Sequence, residues 1–447
     1  MDREVPRGRE GMTAMALKLS ARDANFQAAF AALVAKGRET KANVDDVVAS
    51  VLADVKARGD AAVIDSTRKF DRFSLTPETF AFTKAEIAGA ASQCDATTLK
   101  ALNEAAERIR DYHVRQLPKD EFYRDKAGIG LGWRWTAVSS AGLYVPGGTA
   151  ALFSSVLMNA VPAKVAGVER LVVTMPTPDG KTNPLTLAAC AVAGVDEVYR
   201  VGGAQAIAML AYGTKSVRAV DKIVGPGNAY VASAKKQVFG TVGIDMVAGP
   251  SEVTVVSDAL SDPAWIAADL MAQAEHDASS QSILITDDDG FAGRVIEAVE
   301  VLLKTLPRRE TAAQSWRDHG AVIVVRSLLD APDLINQIAP EHLELAVADP
   351  QTLLPRIRHA GAIFLGRHTP EALGDYNAGP SHVLPTSGAA RFSSGLGVMD
   401  FLKRTSLIDC TGAGLAAIGP GAVAMAQAEV LDAHAQSVAL RMKSPNS

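Results

Sequence analysis

The fold is decided within residues 141–240, where AGLYVPGGTAALFSSVLMNAVPAKVAG (141–167) leads into ERLVVTMPTPDG (169–180), LTLAACAVAGV (185–195), DEVYRVGGAQAIAMLAYG (196–213) and DKIVGPGNAYVASAKKQVFG (221–240). Short β-branched runs alternate with glycine turns and helical segments, the signature of stacked βαβ units around a parallel sheet. One fragment nearly repeats. Val165-Ala166-Gly167-Val168-Glu169 returns as Val192-Ala193-Gly194-Val195-Asp196, each copy closing a helix and opening a strand, as a serial α/β layout requires.

Before this stretch, residues 25–110 read as a mostly helical scaffold, with apolar side chains at three- and four-residue spacing in NFQAAFAALVAKGR, VDDVVASVLADVKARGDAAVIDSTRKFD and AEIAGAASQCDATTLKALNEAAERIRDYHVRQL. After it comes a second α/β region. Its strands are SEVTVVSD, QSILITDD, AVIVVRS and AGAIFLG, its helices AWIAADLMAQAEHDA and FAGRVIEAVEVLLKTL, and it ends near Thr386. A last helix, AVAMAQAEVLDAHAQSVALRMK, follows a Gly/Pro connector over 412–421 and is free to dock away from the core.

The 447 residues exceed what a single core holds, since cores stop growing near roughly 250–300 residues, so at least two domains are expected. With 45 basic and 50 acidic side chains the net charge is −5, too balanced for a nucleic-acid partner. The uncharged stretches 136–163 and 410–427 are broken by Gly, Pro and polar residues, so neither reads as a membrane span of about 20 apolar residues. The charged N-terminus has no apolar run of a signal peptide, and Met12 or Met15 could initiate. Cys94, Cys190 and Cys410 fit neither a disulfide framework nor a CxxC site. A reducing cytoplasm and a soluble chain are expected.

Gly147-Gly148, Gly202-Gly203 and Gly225-Pro226-Gly227-Asn228 each follow a strand and precede a helix, where bare amides can receive phosphate. Three such turns suggest a nucleotide. None is a full GxGxxG and no acid stands at a strand end to hold a ribose, so plain tight turns remain the alternative. Histidine is concentrated after residue 270. Gln273 and His276 share a helix face, Asp375 and His382 lie in the polar loop GDYNAGPSHVLPT, and His434 lies on the last helix with Glu429 nearby. Such donors suit zinc, although their separations match no zinc motif and scattered surface residues would look the same. Glu341-His342, in APEHLEL, offers a carboxylate and an imidazole for base and acid work, against a capped, exposed helix start. His113 reads as a solvated helix residue, and Cys190 as a helix residue too apolar to be a nucleophile.

The strings YVPGGTAALFSSVLMNAVPAKVAGV, GGAQAIA, VDKIVGPGNAYVASAKKQVFGTVGIDMVAGPSE, DLMAQAEHD, APEHLE, GAIFLGRHTPEALGDY and FSSGLGVMDFLKRTS, in this order and spacing, closely resemble the histidinol dehydrogenase family from about Ala21 onward. The resemblance implies an NAD-dependent zinc enzyme oxidising L-histidinol through L-histidinaldehyde to L-histidine, the last step of histidine biosynthesis. It places one zinc per subunit on Gln273, His276, Asp375 and His434. Glu341 becomes the general base and His342 its catalytic partner. Substrate contacts fall on Ser251, His382 and Glu429 together with His342 and the zinc ligands, and the NAD site on Tyr144, Gln205 and Asn228.

The implied fold is α/β, two incomplete Rossmann-like domains with small helical segments at both ends, in an intertwined homodimer with shared active sites. The implied boundaries are 13–39 for the N-terminal segment, 40–143 with 250–390 for the larger domain, 144–249 for the NAD-binding domain, and 391–447 for a C-terminal segment reaching the partner's site. Two departures stand out: Ser381 where the family often has asparagine, and Leu152-Phe153 where many members have tyrosine and proline. They leave open a related zinc dehydrogenase of another polar primary alcohol, such as a sulfonated diol. A zinc hydrolase, or a metal-bound scaffold without catalysis, would use the same donors without a dinucleotide.

Overall fold

A computed structural model describes residues 16–37, 44–147 and 152–443; Gly148, Met12 and Met15 lie outside them. With strands numbered along the chain, the deciding stretch forms a five-stranded parallel sheet of β4 (Ser140–Tyr144), β5 (Arg170–Thr174), β6 (Glu197–Tyr199), β7 (Lys222–Val224) and β8 (Gly243–Ile244), in the order β6-β5-β4-β7-β8. Both faces are covered. Leu171 and Val173 join one core cluster and Val172 the other, as alternation along a strand demands. The repeated Gly167 and Gly194 end the helices Phe153–Ala166 and Pro184–Ala193 in left-handed conformations, at φ +90° and +70°, which glycine adopts without a Cβ penalty.

A second parallel sheet joins β1 (Leu17–Ser20), β9 (Glu252–Ser257), β10 (Gln281–Thr286), β11 (Ala321–Val324), β12 (His342–Ala346) and β13 (Ala362–Leu365) in the order β1-β11-β10-β9-β12-β13. Without β1, its winding repeats that of the first sheet. In each, the order reverses beside the first strand, between β4 and β7 or between β9 and β12. These are the switch points at which open α/β sheets leave a crevice.

The N-terminal segment 13–39, expected to be helical, contributes β1 to this sheet before its helix Phe26–Gly37. Its ends fall outside the described residues. The helices within 40–143 lie on the five-stranded sheet rather than with 250–390. Val48, Leu52, Val55 and Val63 bury against Ile207 and Leu210, and Leu102, Ala105 and Ile109 against Val156 and Ala160. Their apolar stripes are thus matched to the faces of the nearer sheet. His113, expected on a solvated face, is wholly buried and its Nδ1 donates to the Ile109 carbonyl at 2.7 Å.

A small antiparallel sheet places β3 (Gly130–Ala137) between β2 (Glu121–Arg124) and β14 (Leu402–Asp409). The stretch read as a connector over 412–421 is instead helical, part of the helix Gly412–Ala428 with Pro420 inside it. The chain turns at Val430 (φ +60°) into the helix Asp432–Met442. The two helices close tightly at Gly419, where a Cβ would meet the Met442 sulfur at 2.6 Å. Among the described residues no helix is long and apolar enough to cross a membrane.

Candidate active site

Three of the residues singled out above gather at the carboxyl ends of the five-stranded sheet. Tyr144, the last residue of β4, is buried, and its hydroxyl accepts the Gly203 N–H at 3.1 Å. Gln205, on the helix Gly203–Tyr212, is 2% exposed. Asn228 caps the helix Ala229–Val238, its side chain accepting the N–H groups of Tyr230 and Val231 at 3.1 and 3.2 Å. The turn after β7 and the end of β4 thus flank the switch point.

Ser251, Gln273, His276, Glu341, His342, Asp375 and His382 lie at the opposite, amino ends of the six-stranded sheet. His342 opens β12, Glu341 lies just before it, and both are 5% exposed, so the pair stands at the start of a buried strand and not of an exposed helix. Glu341 Oε2 accepts the Glu252 N–H at 2.9 Å. His342 Nδ1 donates to the Glu252 carbonyl at 3.0 Å. A carbonyl only accepts, so Nδ1 carries the proton and the neutral ring presents a bare lone pair at Nε2, which has no partner. Burial raises the Glu341 carboxyl well above its ordinary range, against the pull of the Glu252 N–H and with the charges of Glu252 and Asp375 adding to the rise. Burial also lowers His342 to about 4. Ser251, just before β9, is half-buried, and its carbonyl accepts the Gln281 N–H at 3.0 Å.

Gln273 lies on the helix Pro263–Ala274, and both polar atoms of its amide are buried without a hydrogen-bond partner. A bare buried amide is costly, so it calls for a ligand. His276 follows just past that helix, held by its N–H to the Gln273 carbonyl at 3.2 Å. Its Nε2 is 3.8 Å from Asp375 Oδ2, and Asp375 Oδ1 is 3.6 Å from His382 Nδ1. Asp375 therefore sits between two imidazoles. His382 Nδ1 donates to the Asp375 carbonyl at 3.1 Å, and its Nε2 takes the Ser155 hydroxyl at 3.2 Å. This last bond spans the two halves, because Ser155 lies on the helix Phe153–Ala166 of the five-stranded sheet.

Glu429 and His434 are both exposed, on the C-terminal helical hairpin. Cys190 is buried within a helix, and burial pushes its thiol up to about 12. The departure Ser381 faces inward, its hydroxyl donating to the Met158 carbonyl at 3.2 Å, so it ties a loop to a helix. Leu152, 36% exposed, immediately precedes the helix that Phe153 begins.

One acid was overlooked. Glu371 is 2% exposed, 3.8 Å from His342 Nδ1, and groups with His342 and Asp375 so that one potential ligand atom from each lies within 4.8 Å of the others. Its spacing of four from Asp375 in PEALGDY, which places both on one helix face, was the available signal. Behind it Glu344 accepts the Glu371 N–H at 2.6 Å.

Fold and site together define a class: a two-sheet α/β protein with Rossmann-like winding and a buried acid–imidazole cluster. More particularly, the chain belongs to the histidinol dehydrogenase family, whose profile matches residues 34–442. It is 62% identical to a histidinol dehydrogenase of Rhodospirillum rubrum over 96% of this chain and 99% of that one. It is 60% identical to one of Cereibacter sphaeroides, over 95% and 98%. A crystal structure of histidinol dehydrogenase from Elizabethkingia anophelis superposes with a TM-score of 0.92 at 35% identity, covering 98% of this chain and all of that one.

Proposed function

We propose that this chain catalyses the NAD-dependent oxidation of L-histidinol, through L-histidinaldehyde, to L-histidine. The observation that carries the reading is the buried Glu341-His342 pair, with its bare Nε2, beside the Gln273, His276 and Asp375 donors. A primary alcohol loses a hydroxyl proton and a hydride, so a proton acceptor and a nicotinamide must flank one carbon. Two oxidations of that carbon require two NAD molecules in turn.

The unpaired Gln273 amide and the imidazole and carboxylate groups of His276 and Asp375 fit a zinc ion, with His434 of the partner subunit completing the set. Zinc bound there would supply a fixed anchor for the imidazole and amino nitrogens of the substrate. Ser251, His382, and Glu429 of the partner subunit would hold the remaining polar groups, while Tyr144, Gln205 and Asn228 would line the NAD side. Ser381 ties its loop to the helix Phe153–Ala166 through the Met158 carbonyl.

His342 Nε2 is available to take the alcohol proton, since its other nitrogen is already committed to a carbonyl. Oxidation of the aldehyde needs either a thiol adduct or water. Cys190 is buried as a thiol, and the half-buried Cys94 thiol donates to the Ala90 carbonyl at 3.3 Å; in this reading neither of these nor Cys410 forms the adduct, and water adds, with Glu341 receiving its proton. The resulting hydrate is again an alcohol and yields the second hydride.

A homodimer fits the C-terminal hairpin, which leaves Ile418, Met425, Val430 and Leu440 at 48–82% exposure. Such a bare apolar surface is expected to be covered. Purified enzyme offered histidinol and a panel of polar primary alcohols tests the substrate. NADH absorbance is expected to rise steeply with histidinol, and preference for a sulfonated diol would contradict the reading.

A further inference from the structure

The turn Gly225-Pro226-Gly227-Asn228 is gripped by two side chains with no part in the chemistry above. Lys235, from the helix Ala229–Val238, and Asp245, just past β8, form an ion pair whose side chains are 2% and 0% exposed. Asp245 Oδ2 accepts the Gly225 N–H at 2.8 Å, and Lys235 Nζ donates to the Gly225 carbonyl at 2.9 Å. Both backbone groups of one residue are therefore held by the pair. Gly225 has φ +113°, and a Cβ there would lie 2.3 Å from the Tyr144 carbonyl oxygen, so the turn presses against the end of β4 as only glycine allows. Among the described residues, the N–H groups of Gly227, Asn228 and Ala229 donate to no acceptor in the chain. Three consecutive unpaired amides at a helix N-terminus are a receptor for a phosphate group.

A buried ion pair often stabilises a fold no better than an apolar pair of equal volume. Stability is thus a poor reason for this one. What it supplies is two charge-assisted hydrogen bonds that set the peptide planes on either side of Gly225, and hence the direction of the amides that follow. We propose that Lys235 and Asp245 are positioning residues for the dinucleotide, holding the turn in the shape that receives a phosphate of NAD. The proposal rests on the NAD reading given under Proposed function.

The experiment uses the full-length enzyme, NAD as the probe, and three variants: Lys235→Met, Asp245→Asn, and the double variant Lys235→Met/Asp245→Leu. Each is assayed for NAD binding by calorimetry, for KM of NAD and of histidinol, for kcat at saturating NAD, and for thermal midpoint. The single variants are expected to raise the Kd and KM for NAD about tenfold or more, with histidinol KM and kcat within about twofold. The double variant should recover the thermal midpoint, as an apolar pair does, while NAD binding stays weak. This split separates positioning from stability even if a single variant folds poorly. Wild-type NAD affinity in the double variant, or in a folded single variant, would overturn the proposal. A wild-type enzyme that binds no NAD would instead refute the underlying reading.

Discussion

Glu341 and His342 are neighbours in sequence and are anchored to the same residue, Glu252, one through its N–H and the other through its carbonyl. That sharing fixes which face of each is free. Replacing Glu341 with Gln keeps the volume and an acceptor for the Glu252 N–H but removes the base, so kcat should fall roughly a hundred- to ten-thousand-fold with little change in histidinol KM. Steady-state kinetics checks this, and an unchanged kcat would remove Glu341 from the mechanism. If no thiol takes part, combining Cys94→Ser, Cys190→Ala and Cys410→Ser should leave both oxidation steps intact, read as histidine formed per turnover. Accumulated aldehyde would argue for a cysteine adduct. Gln273, His276, Asp375 and His434 were candidate donors by residue type, but their separations match no zinc motif, so their roles came from the family resemblance alone. Burial was not legible: nothing in APEHLEL distinguishes a buried strand start from a capped helix, and His113 was misplaced for the same reason.

At the scale of elements, alternation of β-branched runs and glycine turns was enough to locate β4 to β7, β9 to β11 and β13, because strands covered on both faces read as continuous apolar runs, whereas β12 stayed hidden in APEHLEL. Weaker signals failed where partners are distant. β1 pairs with β11 some three hundred residues away, and β14, nearly all exposed, carries no apolar run. The Gly/Pro composition of 412–421 pointed to a connector, yet Gly419 serves close helix packing and Pro420 is tolerated inside the helix. The repeated VAGV fragments, by contrast, encode their caps directly. Gly194→Ala places a Cβ in ordinary contact, 3.7 Å from Lys164 Cε, but at φ +70°, so it should cost about 1–2 kcal/mol of stability without altering kcat. Denaturant unfolding measures this, and an unchanged midpoint would contradict the cap's role.

Across the whole molecule, the Ser155–His382 hydrogen bond ties the helix that follows β4 of the five-stranded sheet to the loop carrying His382 beside the six-stranded sheet. Glu429 and His434 stand exposed on the hairpin. In a twofold dimer that exchanges this hairpin, Glu341→Gln chains mixed with His434→Ala chains place both defects in one site and leave the other whole. With random reassortment, activity should return to about a quarter of wild type from two nearly inactive parents. Verified mixed dimers that stay inactive would mean each site is built within one chain. The central claim is a four-electron oxidation completed in one site without a thiol. Its most direct test counts NADH formed and histidine released per histidinol consumed by the zinc-loaded enzyme. Two NADH and one histidine, with no free aldehyde, are expected, whereas one NADH with aldehyde released would contradict the claim.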